Sequence, residues 1–120
     1  MAKKTLVLGA SLKADRYSNI VIKRLIDKQH EVKALGVRVG EVEGVQIDVE
    51  KLKYEGVDTV TLYLNPSRQV EYYDYIVSLK PKRVIFNPGT ENMEFITLLK
   101  QHKIESEIAC NLVLLATNQY

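Results

Sequence analysis

The sequence holds one cysteine, two histidines, three prolines and no tryptophan in 120 residues. A lone cysteine, Cys110, has no partner for an internal disulfide, so the expected setting is a reducing compartment, the cytoplasm. Neither sign of charge dominates: 17 basic against 15 acidic residues leave a net of +2, too balanced to draw a nucleic acid or a membrane by bulk attraction. No apolar run approaches the roughly 18 residues of a spanning helix. Lys13, Asp15, Arg16, Lys23 and Arg24 also interrupt any signal-peptide core near the start. One cysteine and two distant histidines, His30 and His102, make no zinc spacing. The 46% hydrophobic and 27% charged content is that of a globular chain, and residues 1–120 are expected to form one domain.

What is present is alternation. Thr5–Leu8 is a continuous apolar run closed by Gly9, the pattern of a strand buried on both faces. Ser18 is the expected cap of a helix running to Gln29, with Val21, Ile22, Leu25 and Ile26 on one face. Glu31–Leu35 predicts the next strand. Gly36, Gly40 and Gly44 then punctuate a loop before an extended piece at Val45–Ile47, and residues 49–55 are expected to make one or two helical turns. Val57–Leu64 is a strand rich in Val and Thr. Asn65-Pro66 starts a helix that carries Val70, Tyr73, Ile76, Val77 and Leu79 and stops at Pro81. Arg83–Phe86, a helix from Glu91 to His102, a strand over Ile104–Ala109 and a short helix over Asn111–Thr117 complete the chain. Strands separated by helices imply right-handed crossovers and a mainly parallel sheet of five or six strands, doubly wound in the order 3-2-1-4-5.

In such a sheet, ligands bind beyond the carboxyl ends of the strands, where the strand order reverses. Three segments converge there: Gly9-Ala10-Ser11 through Arg16-Tyr17-Ser18, Asn65 to Arg68, and Asn87-Pro88-Gly89-Thr90. Each joins a strand end to a helix start, where unpaired N–H groups and the helix dipole favour an anion. With Lys13, Arg16 and Arg68 they suggest a phosphate or pyrophosphate site, although capping of the helices alone would also explain them. The fingerprint Gly-x-Gly-x-x-Gly is absent, since Ser11 and Ala14 stand where its later glycines belong. No acidic residue follows the second strand to hold a ribose hydroxyl. Arg38 stands near that point, either reading a ribose phosphate, which favours NADP or coenzyme A over NAD, or simply solvated in a loop.

Gly9-Ala10-Ser11 with Arg16-Tyr17-Ser18, the turn Asn87-Pro88-Gly89-Thr90-Glu91-Asn92, and Ala109-Cys110 after the last strand resemble the small stand-alone coenzyme A-binding proteins. Their fold is similar to the nucleotide-binding domain of the succinyl-CoA synthetase alpha subunit. The resemblance runs from Thr5 to Leu115 and implies a three-layer Rossmann-like domain that binds coenzyme A or an acyl-CoA through the Gly9–Ser18 loop, often without a reaction. The chain departs from the wider family at Leu35-Gly36-Val37, where many members have Val-Asn-Pro. It also has Leu64-Asn65-Pro66 where many carry arginines. The expected partner is a small nucleotide, with a second copy of the chain or an acyl-CoA enzyme as macromolecular company.

General bases are scarce. His30 and His102 follow helices and fall at the edge opposite the expected site, where a histidine cation would suit a helix carboxyl end. Cys110 is the one candidate nucleophile, for a small enzyme acting on acyl-CoA, although a lone cysteine is more often a small buried hydrophobe. The basic stretch Lys80 to Arg83 reads as a solvated rim on the far edge.

Overall fold

A computed structural model describes residues 2–120. The central strand β1, Thr5–Ala10, is flanked by β2, Val32–Gly36, and β5, Thr59–Leu62, both parallel to it. Beyond β5 lie β6, Arg83–Phe86, and β7, Glu105–Ile108, also parallel. Beyond β2 lies β4, Val45–Asp48, parallel to it, and β3, Gly40–Val42, closes that edge antiparallel. The sheet therefore has seven strands in the order β3-β4-β2-β1-β5-β6-β7. This corrects the expected five or six strands in the order 3-2-1-4-5. The added strand comes from a tight hairpin: Val42 pairs Val45 across Glu43 and Gly44, both at positive φ, which is the two-residue turn that matches strand twist. Glu43 is an unusual residue for that geometry, so the segment read as a glycine-punctuated loop.

Helices cover both faces. On one, α1 (Tyr17–Asp27) and α5 (Asn111–Ala116) pack on Val7, Ala34 and Ile47 through Val21, Ile22, Leu25 and Leu115. On the other, α3 (Tyr73–Leu79) and α4 (Met93–Gln101) pack on Leu6, Leu8, Leu62 and Phe86 through Ile76, Leu79, Phe95 and Leu99. The alternation within β1, Leu6 and Leu8 to one layer and Val7 to the other, is what a strand buried on both faces requires. The buried threonines of β5 are not exceptions to an apolar core, because Thr59 Oγ1 accepts from Arg83 Nε and Thr61 Oγ1 accepts from Asn87 Nδ2.

Three further expectations change. The helix after Asn65 is broken into α2, Pro66–Gln69, a 3-10 turn at Val70–Tyr72, and α3. Its register turns Gln69 fully inward and leaves Val70 55% exposed, which corrects the expectation that Val70 belongs to the helix's apolar stripe. Residues 49–55 are an extended strap rather than helical turns; Lys51 Nζ donates to the Glu71 carbonyl, Lys53 Nζ to that of Ser78, and Tyr75 Oη to that of Leu52. Arg83 is not solvated either: it pairs with Glu107 at 2.9 Å, 12% exposed, beneath the ring of Tyr120.

His30 also lies at the amino end of the sheet, and its surroundings disfavour the cation expected at a helix end. The Lys3 N–H donates to its Nδ1 at 2.9 Å, and burial, then the charge of Lys3, lowers its pKa.

Candidate functional site

The carboxyl edge of the sheet carries a cleft of about 740 Å³, within the range of about 300–1,000 Å³ usual for small-molecule sites. It opens where the sheet reverses direction: from β1 the chain passes outward to β2 and later returns to β5 on the other side. The floor is set by glycine. Gly9 has φ +95°, and a Cβ there would lie 3.0 Å from the Tyr63 carbonyl carbon. A Cβ on Gly36 would lie 2.5 Å from the Ala10 carbonyl oxygen. Side chains are excluded at both positions, and the bulge that pairs Ala10 with Gly36 lets β1 and β2 close against each other at the floor.

Of the residues singled out from the sequence, Gly9, Ala10, Ser11, Lys13, Arg16, Tyr17 and Ser18 line the cleft from the β1–α1 side. Arg38 lines it from the β2–β3 loop, Asn65 and Arg68 from the start of α2, and Gly89 and Thr90 from the β6–α4 turn. Asn87 stands behind the wall rather than on it. Its amide donates to Thr61 Oγ1 and the Leu62 carbonyl and accepts from the N–H of Asn111, so its buried side chain ties the ends of β5 and β6 to the start of α5. Cys110 is half-buried at the cap of α5 and does not line the cleft.

The three helix starts are not equivalent, which corrects the expectation that each offers free N–H groups. Asn65 caps α2 by accepting from the N–H of Arg68, and Asn92 caps α4 by accepting from that of Phe95. The N–H of Gly89 is taken by the Glu91 carboxylate, and the Thr90 hydroxyl donates to the Asn87 carbonyl. Only α1 lacks a side-chain cap: Arg16, not Ser18, stands at its cap position and bonds nothing with its side chain there. The N–H groups of Lys13, Arg16, Asn19 and Ile20 are bonded within the loop and the helix start, so the open donors of the first turn of α1 are the N–H groups of Tyr17 and Ser18, joined by the Ser11 hydroxyl, whose oxygen accepts from the N–H of Lys13. The β6–α4 turn supplies shape.

Charge reinforces the same end. Lys13, Arg16, Arg38 and Arg68 line the cleft, and no aspartate or glutamate does. The ion pairs among the described residues are Lys4–Glu31, Lys51–Glu71, Lys82–Asp58 and Arg83–Glu107, so none of these four cations is neutralised by one. Such a donor set fits a polyphosphate.

One positioning residue escaped the sequence reading. Gln69 is fully buried; its Nε2 donates to the carbonyls of Leu64 and Thr90, both at 2.8 Å, and its Oε1 accepts from Asn92. It thereby ties the β5–α2 loop to the β6–α4 turn. The available signal is a glutamine at helical spacing from Tyr73 and Ile76.

A seven-stranded, mostly parallel sheet with a cation-lined cleft at its reversal point defines a Rossmann-like α/β protein. Comparison with known proteins narrows the class: the chain belongs to the CoA binding domain family, whose profile matches residues 3–116. A crystal structure of an uncharacterized protein is 49% identical, has a TM-score of 0.98 and matches over 100% of this chain and 99% of that one. A conserved hypothetical protein from Pyrococcus furiosus is similar at 25% identity and TM-score 0.77, over 88% of this chain and 91% of its own. A Thermus thermophilus protein shares the fold at 24% identity and TM-score 0.87, over 99% and 91%. No curated protein matches the chain. Among the described residues, no helix is long and apolar enough to cross a membrane.

Proposed function

We propose that the chain binds coenzyme A, or an acyl-CoA, in this cleft as a non-catalytic module of the cytoplasm. The observation that carries the reading is a cleft lined by four cations outside any ion pair and by no carboxylate, in a member of the CoA binding domain family. The uncapped start of α1 and the Ser11 loop hold the pyrophosphate; Arg38 reads the phosphate on the ribose, and Arg68 and Lys13 close around the tail. Arg38 also supports NADP as a second ligand, since that nucleotide likewise carries a ribose phosphate. A catalytic role for Cys110 on a thioester finds less support, because the thiol lies off the cleft. A second copy of the chain or an acyl-CoA enzyme remains the partner class this reading favours.

The test is thermal melting with coenzyme A, 3′-dephospho-coenzyme A, NADP and NAD at equal concentrations. A ligand that binds only the folded protein raises the melting temperature. Coenzyme A is expected to give the largest rise and the dephospho form a smaller one. No rise with coenzyme A and a clear one with NADP would replace the assignment.

A further inference from the structure

We infer that Gly40 is a positioning residue for the cleft: by lacking a side chain it leaves the seat in which Leu12 anchors the β1–α1 loop. This deepens the coenzyme A reading and rests on it for its effect on binding. A Cβ built on Gly40 would lie 2.4 Å from Leu12 Cδ2, 2.7 Å from Cδ1 and 2.9 Å from Cγ. The whole branched end of Leu12, not only its tip, fills the space of a residue-40 side chain. Gly40 lies outside the left-handed region, so its backbone would accept any residue; the requirement is space.

Leu12 is the one large apolar side chain among residues 11–16, and it lines the cleft while remaining 46% exposed. The rest of that loop is held from the other side. The Ser11 carbonyl accepts from Asn19 Nδ2 of α1 at 2.9 Å, while the Arg16 N–H donates to the Lys13 carbonyl at 3.1 Å within the loop itself. The seat on Gly40 is the anchor toward the sheet edge, and Lys13 and Arg16 ride between the two anchors. This also gives the edge hairpin a purpose: β3 carries the glycine that receives the loop.

Alanine at 40 evicts Leu12 without straining the backbone, so the variant is expected to fold. Ordering the loosened loop then falls on the ligand, which weakens binding by about three- to tenfold. Gly40→Ala, Leu12→Ala and the double variant are compared by titration calorimetry with coenzyme A. Backbone amide NMR of the ligand-free proteins reports the loop independently. The expected result is shifted amide signals at Ser11 to Arg16 in Gly40→Ala, weaker binding, and a double variant no weaker than Leu12→Ala alone, because the contact is already gone. Unchanged loop signals, or losses that simply add, would overturn the seat. Should the unsubstituted protein fail to bind coenzyme A while Gly40→Ala still shifts the loop, the ligand reading falls and the seat stands.

Discussion

Gln69 Nε2 donates at 2.8 Å to the carbonyl oxygen of Thr90, 21 residues further along the chain, from a position with no solvent exposure. The same amide group serves the Leu64 carbonyl. Gln69→Leu keeps the volume but leaves two buried carbonyls and the Asn92 amide short of a partner, at about 1–3 kcal/mol for each group stranded without water. Chemical denaturation is expected to show a loss of at least about 2 kcal/mol. Coenzyme A affinity should fall as well, since the two turns no longer hold a common position. An unchanged midpoint would show that water replaces the amide.

The cleft cations predict the opposite pattern. Arg16→Ala and Arg68→Ala remove exposed side chains that hold no ion pair, so the melting temperature without ligand should stay within a few degrees. Each charge-assisted bond to phosphate contributes about 1.5–3 kcal/mol, or roughly tenfold or more in affinity. Calorimetric titration of each variant with coenzyme A checks this, and Arg38→Ala should narrow the gap between coenzyme A and its 3′-dephospho form.

Gly9→Ala combines a φ of +95° with a Cβ placed 3.0 Å from the Tyr63 backbone. Neither can relax without moving β1 or β5. Equilibrium unfolding is expected to show a loss of about 1–3 kcal/mol.

His30 predicts a pH dependence. Its folded pKa lies below the ordinary 6.5 because burial and Lys3 disfavour the cation, and its Nδ1 accepts the Lys3 N–H. The unfolded chain therefore takes up the proton first as pH falls. Stability is unaffected above the ordinary value and declines as pH drops from there toward the lower folded pKa. Melting curves between pH 7.5 and 5 should show this decline, and His30→Gln should flatten it.

Cys110→Ser should leave coenzyme A affinity unchanged, because the thiol lies outside the cleft. A loss of affinity measured by calorimetry would place Cys110 against the ligand and revive the thioester reading.

Much of the architecture was legible because buried parallel strands announce themselves: Thr5–Leu8 and Arg83–Phe86 could scarcely be anything else. The cleft lining was legible for a related reason, since strand ends followed by helix starts fix which loops meet. What was not legible depended on tertiary detail. Gln69 reads as a surface residue until two distant carbonyls are placed beside it. Asn87 looks like a lining residue until its bonds to Thr61, Leu62 and Asn111 set it behind the cleft wall. The Glu43–Gly44 turn carried one typical residue out of two, and so β3 stayed hidden.

The two edges of the sheet also differ in how they meet an approaching molecule. At the amino edge Arg83 and Lys82 are matched by Glu107 and Asp58, whereas the four cations that line the cleft at the opposite edge stand outside any of these ion pairs. A polyanion that binds there is expected to be drawn toward the cleft by charge before contact forms. Added salt should therefore slow the encounter more than it shortens the residence of a molecule already docked.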